Sequence, residues 1–391
     1  MKIESVDFFY LSMPEVLDIG DGSQDALLVR IRAGGYEGWG ECEASPLTSI
    51  ASYVCPMSHS ACKPLKHSLE GQTISSVADI HRISKLVKEN SLDLLQADHT
   101  LSGIDIALYD LLGKKSGEPV FSLLGYKKVY PKLPYASQLF GNDPQETLEK
   151  ARRTRKAGYK AVKFGWGPFG KDGLQSDEEH VIAAREGIGN DAHLMIDAGT
   201  VWGEDVAPAA QRLRVLKETN TYWFEEPFIN GALRSYSELS AAKPSVQLAG
   251  GEGCNNFVQA QAMIFFGGLG FIQIDAGRIG GITVAKRVAD LALQKNITYV
   301  NHTFTSHLAL SASLQAFAGM EKDNISEYPV ELKMLALDIT NEKILPDQNG
   351  LIHTPEAPGL GVTVNTGALK KYQVDVDIIV NGKKIYYTPD F

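Results

Sequence analysis

Residues 192–199 read AHLMIDAG, 221–227 TYWFEEP, 245–252 SVQLAGGE, 271–277 FIQIDAG and 297–302 ITYVNH. Each is an apolar run of strand length that ends on an acid or a histidine. Between successive runs lies enough chain for one helix. Working outward, LPYASQLF (133–140) and YKAVKFG (159–165) precede this series and NISEYP (324–329) closes it. The intervening stretches carry helix signals: in PQETLEKARRTRKAG, Asp143 is placed to cap, Pro144 takes the first helical position and Gly158 stops the helix. Eight strand–helix units in one uninterrupted series predict a closed α/β barrel, with a doubly wound open sheet as the alternative.

The flanks have a different rhythm. MKIESVDFFYL alternates, ALLVRIRA and YEGWGECE flank the Gly34-Gly35 turn, and ADHTLSGIDIALYDLLGKKSG has helical spacing, with Leu101, Ile104, Leu108 and Leu111 on one face. Strands followed by helices predict an α+β domain over residues 1–125, ahead of a barrel over 126–359. The tail, 360–391, returns to β pattern and is expected to pack on the first domain. A chain of 391 residues can bury a large core without staples. The formal net charge is −9, with no basic stripe, which argues against nucleic acid or an anionic membrane as a partner. Glu4 and Asp7 interrupt any leader-like apolar start, and the uncharged run 257–274 is broken by glutamines and glycines. Cys42, Cys55, Cys62 and Cys254 lack zinc-ligand spacing and read as free thiols of a cytoplasmic protein.

Catalytic groups of such barrels sit at the C-terminal strand ends. Those ends carry Lys163, Asp197, Glu225 with Glu226, Glu252, Asp275, His302 and Glu327, spaced about one strand–helix unit apart. Asp197, Glu225 and Glu252 would converge from adjacent strands. One carboxylate pair at ~4 Å costs ~4 kcal/mol at an effective dielectric of ~20, so a cation must offset the repulsion. An all-oxygen donor set with open positions suits Mg²⁺ or Mn²⁺ better than zinc. Taken singly, each acid is more often a solvated loop residue or a helix cap; it is the three in register that point to a cation. His302 follows Asp275 by one unit, so adjacent strands can supply an imidazole base and the carboxylate that fixes its tautomer.

The runs LMIDAG, WFEEP, GGEG, IQIDAGRIGGIT, VNH and SEYP, with APGLGV near residue 360, resemble the mandelate racemase-like branch of the enolase superfamily. The resemblance implies a modified (β/α)8 barrel, (β/α)7β, with an α+β N-terminal cap and a Mg²⁺ site. It matches Asp197, Glu225 and Glu252 to the metal ligands, His302 and Asp275 to a general-base dyad, and Glu327 to a substrate carboxylate contact. It implies removal of the proton α to a carboxylate, with the enediolate held on the metal. It also suggests a homo-oligomer of even number.

Strand two departs from the branch pattern. Racemases and several dehydratases of the branch carry Lys-x-Lys there, the second lysine being a base on the opposite substrate face. Here Lys163 is followed by Phe164 and Gly165, and glycine transfers no proton. Lys163 matches the first lysine, which helps hold the carboxylate. GWGPFGKDGL resembles the loop of dehydratases that rely on the His–Asp dyad alone. The expected activity is therefore a Mg²⁺-dependent dehydratase of an acid sugar, aldonate or aldarate, giving a 2-keto-3-deoxy acid. The alternatives are a racemase or epimerase with an unrecognised second base, or an idle barrel that binds a sugar acid. A phosphate-binding barrel is weaker, because GRIGGI follows strand six rather than seven or eight. Segments 15–24 and 44–65, the latter with Tyr53 and His59, are candidate lids that choose the substrate. His307 is expected at the surface or behind the site.

Overall fold

The computed structural model describes residues 1–242 and 244–391. Strands β1 (Ile3–Ser12), β2 (Asp25–Ala33) and β3 (Tyr36–Cys42) form an antiparallel sheet in the order β1-β2-β3. The helix Ala97–Ser116 packs on this sheet; it is buried along most of its length, which is why its apolar stripe is broad rather than narrow.

The eight predicted runs form parallel strands β4 (Leu133–Leu139), β5 (Ala161–Gly165), β6 (His193–Asp197), β7 (Trp223–Glu225), β8 (Gln247–Gly250), β9 (Phe271–Asp275), β10 (Thr298–His302) and β11 (Ile325–Pro329). A helix follows each of the first seven, and the strand order is β10-β9-β8-β7-β6-β5-β4-β11. The architecture is (β/α)7β with an antiparallel-sheet cap. The sheet curls into a near-barrel whose last seam, β10 to β11, has no main-chain ladder. The Asn301 side chain bridges it: Oδ1 accepts from the Glu327 N–H at 3.0 Å and from Ser326 Oγ at 2.8 Å.

Period-two alternation fills the interior. Each strand sends one residue into a central layer: Tyr135, Ala161, Met195, Trp223, Ala249, Phe271, Val300 and Ile325. The inward residues two positions further along include Ser137, Lys163, Asp197 and Glu225, so the polar mouth is the next layer of the same alternation. Register then sets neighbours. Gly165 pairs with Asp197, Asp197 with Glu225, and Asp275 with His302.

Two sequence signatures dock the barrel to the cap. In GRIGGIT, Gly281 has φ +86 and lies so close to the cap helix that a Cβ would meet Asp105 Oδ1 at 2.2 Å. Asp105 accepts from the Thr283 N–H at 3.0 Å and from its hydroxyl at 2.6 Å. In APGLGV, the Leu360 N–H donates to Asp110 of the same helix at 2.9 Å. The tail packs on the cap sheet: Phe391 stacks on Phe9 at 4.4 Å and Tyr386 Oη donates to Phe8 O at 2.7 Å. Among the described residues, no helix is long and apolar enough to cross a membrane.

Candidate active site

A cavity of about 290 Å³ opens at the C-terminal strand ends. Its walls include Lys163, Asp197, Glu252, His302, Arg278 and, from the cap, Glu43. Glu225 and Glu327 lie beneath them, fully buried.

On one flank stands Lys163. Its Nζ lies 2.6 Å from Glu225 Oε1, 2.9 Å from Glu327 Oε1 and 3.5 Å from Asp197 Oδ2. Burial alone would lower the ammonium's pKa; the surrounding carboxylates more than reverse this and hold it well above the ordinary lysine range. The other Glu225 oxygen accepts from Trp223 Nε1 at 2.8 Å, and Asp197 Oδ1 accepts from the Gly199 N–H at 2.8 Å.

On the other flank, His302 Nδ1 lies 2.7 Å from Asp275 Oδ2, and Asp275 Oδ1 accepts from the Gly277 N–H at 2.6 Å. His302 Nε2 faces the cavity, 3.2 Å from Glu252 Oε2 and 3.8 Å from Glu327 Oε2. Burial opposes charge on the ring, yet Glu252, Glu327 and Asp275 outweigh it and push the imidazole pKa well above its usual value. Glu327 is fixed by the Thr303 N–H at 2.7 Å, and its pKa is lowered: burial works against this, but the Lys163 and His302 charges prevail.

Burial, then repulsion from neighbouring acids, raises Glu225 to about 8 and Asp197 to about 6, although Lys163 opposes both. Glu226, directly behind at φ +38, is pushed up well above its ordinary value for the same reasons. Asp197, Glu225 and Glu252 are oxygen donors of the kind a hard divalent ion takes, with Lys163 Nζ already on Glu225 and Asp197; among the described residues they are not a trio whose ligand atoms lie within 4.8 Å of one another. A different trio, Glu43, Asp275 and His302, brings one ligand atom each within 4.8 Å of the others. There Arg278 already sits on Glu43 at 2.5 Å and His302 Nδ1 is engaged by Asp275 at 2.7 Å.

Sequence reasoning missed Glu43 and Arg278. Glu43 lies just past β3, two residues from Glu41 and on the same face, but nothing in the sequence says that this strand end overhangs the barrel mouth. The Glu43 N–H donates to Gly277 O at 3.1 Å, and Arg278 reaches Glu252 at 3.7 Å. The two candidate lids separate. Ile19, Gly20, Asp21 and Gly22 of segment 15–24 line the cavity, whereas no residue of 44–65 does. Tyr53 is buried against Phe8 in the cap core, and exposed His59 pairs with Asp93 at 3.2 Å. His307, placed at the surface or behind the site, proves buried at the start of the helix His307–Phe317, its Nδ1 accepting from the Ile344 N–H at 3.3 Å.

The chain was compared with known proteins. Residues 12–125 match the mandelate racemase / muconate lactonizing enzyme N-terminal domain and residues 146–368 the enolase C-terminal domain-like family. D-galactarolactone cycloisomerase of Agrobacterium fabrum is 30% identical over 70% of this chain and 74% of its own length. D-gluconate dehydratase of Thermoproteus tenax is 29% identical over 73% of this chain and 58% of its own. A Rhodobacter sphaeroides structure described as a predicted mandelate racemase is 57% identical, with TM-score 0.95 over 99% of both chains. With both domain families matched in order along one chain, this protein belongs to the mandelate racemase / muconate lactonizing enzyme family of the enolase superfamily.

Proposed function

We propose that the protein dehydrates an acid sugar to a 2-keto-3-deoxy acid by one-sided proton transfer. The observation that carries this reading is the asymmetry of the cavity. One flank has a carboxylate-oriented imidazole. On the other, the position of a second base is Gly165, and a Cβ there would lie 2.8 Å from Asp197 Cβ and Oδ2. The family relatives named as a dehydratase and a cycloisomerase of sugar-derived acids support the substrate class.

In this reading Asp197, Glu225 and Glu252 hold Mg²⁺. When bound, the ion supplies positive charge beside the substrate carboxylate, where proton removal builds negative charge. Lys163, locked among Glu225, Glu327 and Asp197, orients that carboxylate from the other side. Glu252 lies 3.2 Å from His302 Nε2; as a metal ligand it would hold an imidazolium there less strongly, which would favour the neutral ring that acts as a base. His302 Nε2 takes the C2 proton while Asp275 holds Nδ1–H and balances the imidazolium. His302 then returns a proton to the C3 hydroxyl. The C3–O bond breaks, C2=C3 forms, water departs, and the enol tautomerises to the 2-keto acid.

The deciding experiment is a screen of aldonates and aldarates with Mg²⁺ in D₂O, read for keto acid and for deuterium at C2. Keto acid is the expected product. Inverted substrate carrying C2 deuterium, with no keto acid, would replace this reading with a racemase that draws its second base from elsewhere.

A further inference from the structure

We propose that the substrate is a monocarboxylate with an uncharged polyhydroxyl tail, an aldonate rather than an aldarate; this rests on the acid-sugar reading above. A dicarboxylate needs a cation at each end of the pocket, because leaving a carboxylate unpaired away from water is costly. The cavity-lining cations are Lys163 and Arg278. Both belong to the reacting end, and both are already committed. Lys163 contacts Glu225 and Glu327 within 2.9 Å. Arg278 binds Glu43 at 2.5 Å and reaches Glu252, the same acid that faces His302 Nε2.

The walls away from these groups carry no spare positive charge among the described residues. They are Trp166, Phe304, Leu139 and Ile19, with the Gly20–Gly22 backbone, the uncharged Ser137 and Gln138, and one further acid, Asp21. Asp21 Oδ1 accepts from the Ser23 N–H at 2.8 Å and from its hydroxyl at 2.6 Å. Lys333, which does not line the cavity, has its ammonium 3.5 Å from Asp21 Oδ2 and its backbone N–H on Ser23 Oγ at 2.9 Å. A second carboxylate would therefore meet aromatic and aliphatic surface beside an acid. Hydroxyls on a carbon chain suit the same surface: the C–H faces pack on Trp166 and Phe304, and the O–H groups reach backbone and Ser137.

The test uses matched pairs, D-gluconate with D-glucarate and D-galactonate with galactarate. Calorimetry on the full-length Mg²⁺-loaded His302→Asn protein reads binding without turnover, and wild type reads keto acid formation. In at least one pair the aldonate should bind tenfold or more tightly than its aldarate. An aldarate that binds as tightly as its aldonate overturns the proposal, as does failure of both aldonates to bind. A clear aldonate preference without keto acid would leave the monocarboxylate assignment standing and remove the dehydratase reading. Ile19→Lys, which adds a cation at the far wall, should shift the binding ratio toward the aldarate by about tenfold. An unchanged ratio would show that the tail does not lie there and would overturn the placement.

Discussion

The two flanks of the cavity are built from the same unit, a barrel strand with one polar residue at its end, yet the proposed reaction draws its base from only one of them. On the β9–β10 flank, register places Asp275 directly beside His302, and the pair bonds at 2.7 Å. On the β5 flank, register places Gly165 beside Asp197, and that carboxylate fills the space any side chain at 165 would need. Lys163, two residues earlier, ends as a fixed charge within a carboxylate cluster. The lesson is that a missing base need not be a lost one. Here Asp197 occupies its volume, so the lack of a side chain at 165 is a packing consequence.

The comparison breaks most completely through the active flank. His302→Asn should remove at least ~10⁴-fold of turnover and abolish exchange of the C2 proton with solvent deuterium, since no other imidazole lines the cavity among the described residues. Asp275→Asn should cost less, though still several orders of magnitude, by presenting the wrong tautomer. Retained exchange in His302→Asn would transfer the base role to the β5 flank. Asp197→Asn, Glu225→Gln and Glu252→Gln should each weaken divalent binding, and chelation should silence the wild type until Mg²⁺ is returned. Full activity in a chelated sample would remove the metal from the reading.

The inert flank is probed next. If Lys163 orients the carboxylate electrostatically, Lys163→Ala should lose about 10²–10³ in rate, as for one preorganised donor. Lys163→Arg should rescue only part, because the wider guanidinium fork does not fit a site built around one ammonium. A near-normal rate in Lys163→Ala would make it a structural counter-charge for Glu225 and Glu327. Gly165→Ala adds one methyl against Asp197 and should cost about 1–3 kcal/mol of stability, the usual penalty for overpacking. It should also weaken Mg²⁺ binding, which a melt with and without the metal would show as a smaller metal-dependent gain.

Much of this was legible in the sequence because the barrel repeats one physical rule. Apolar alternation drives each run into the central layer, so the polar residues ending the runs gather at the mouth, some lining the cavity and others, Glu225 and Glu327, buried beneath it. Strand-end position alone listed Lys163, Asp197, Glu252 and His302, and all four line the cavity. It could not supply distances between elements remote in the chain. The clash that excludes a side chain at 165 involves an atom of Asp197. The Glu43–Arg278 pair joins a cap strand end to a loop after β9. Segment 44–65 looked like segment 15–24 in composition, but Tyr53 and its neighbours turn into the cap core, while Gly20 packs so near Trp166 that a Cβ would lie 2.7 Å from the ring. Which loop overhangs the barrel is decided by cap docking through Asp105 and Asp110, and local composition carries no record of that.

The smallest effect sharpens the active flank through its neighbour. His302 and His307 lie five residues apart, both buried, and their surroundings push them in opposite directions. Glu252, Glu327 and Asp275 overcome burial at His302. At His307 burial, aided by Lys343, lowers the pKa to about 4. With an unfolded-state value near 6.5, the unfolded chain binds a proton here that the folded chain refuses. The neutral His307 therefore contributes stability that is present above about pH 6.5 and is lost as pH falls toward 4. Between pH 7 and pH 5 the loss from this one group is about 2 kcal/mol. His307→Gln keeps an acceptor for the Ile344 N–H but carries no titrating ring. Urea unfolding at the two pH values should therefore show the variant losing about 2 kcal/mol less than wild type over that interval. An equal loss in both proteins would mean that His307 takes up its proton in the folded state, and the opposition between the two histidines would disappear.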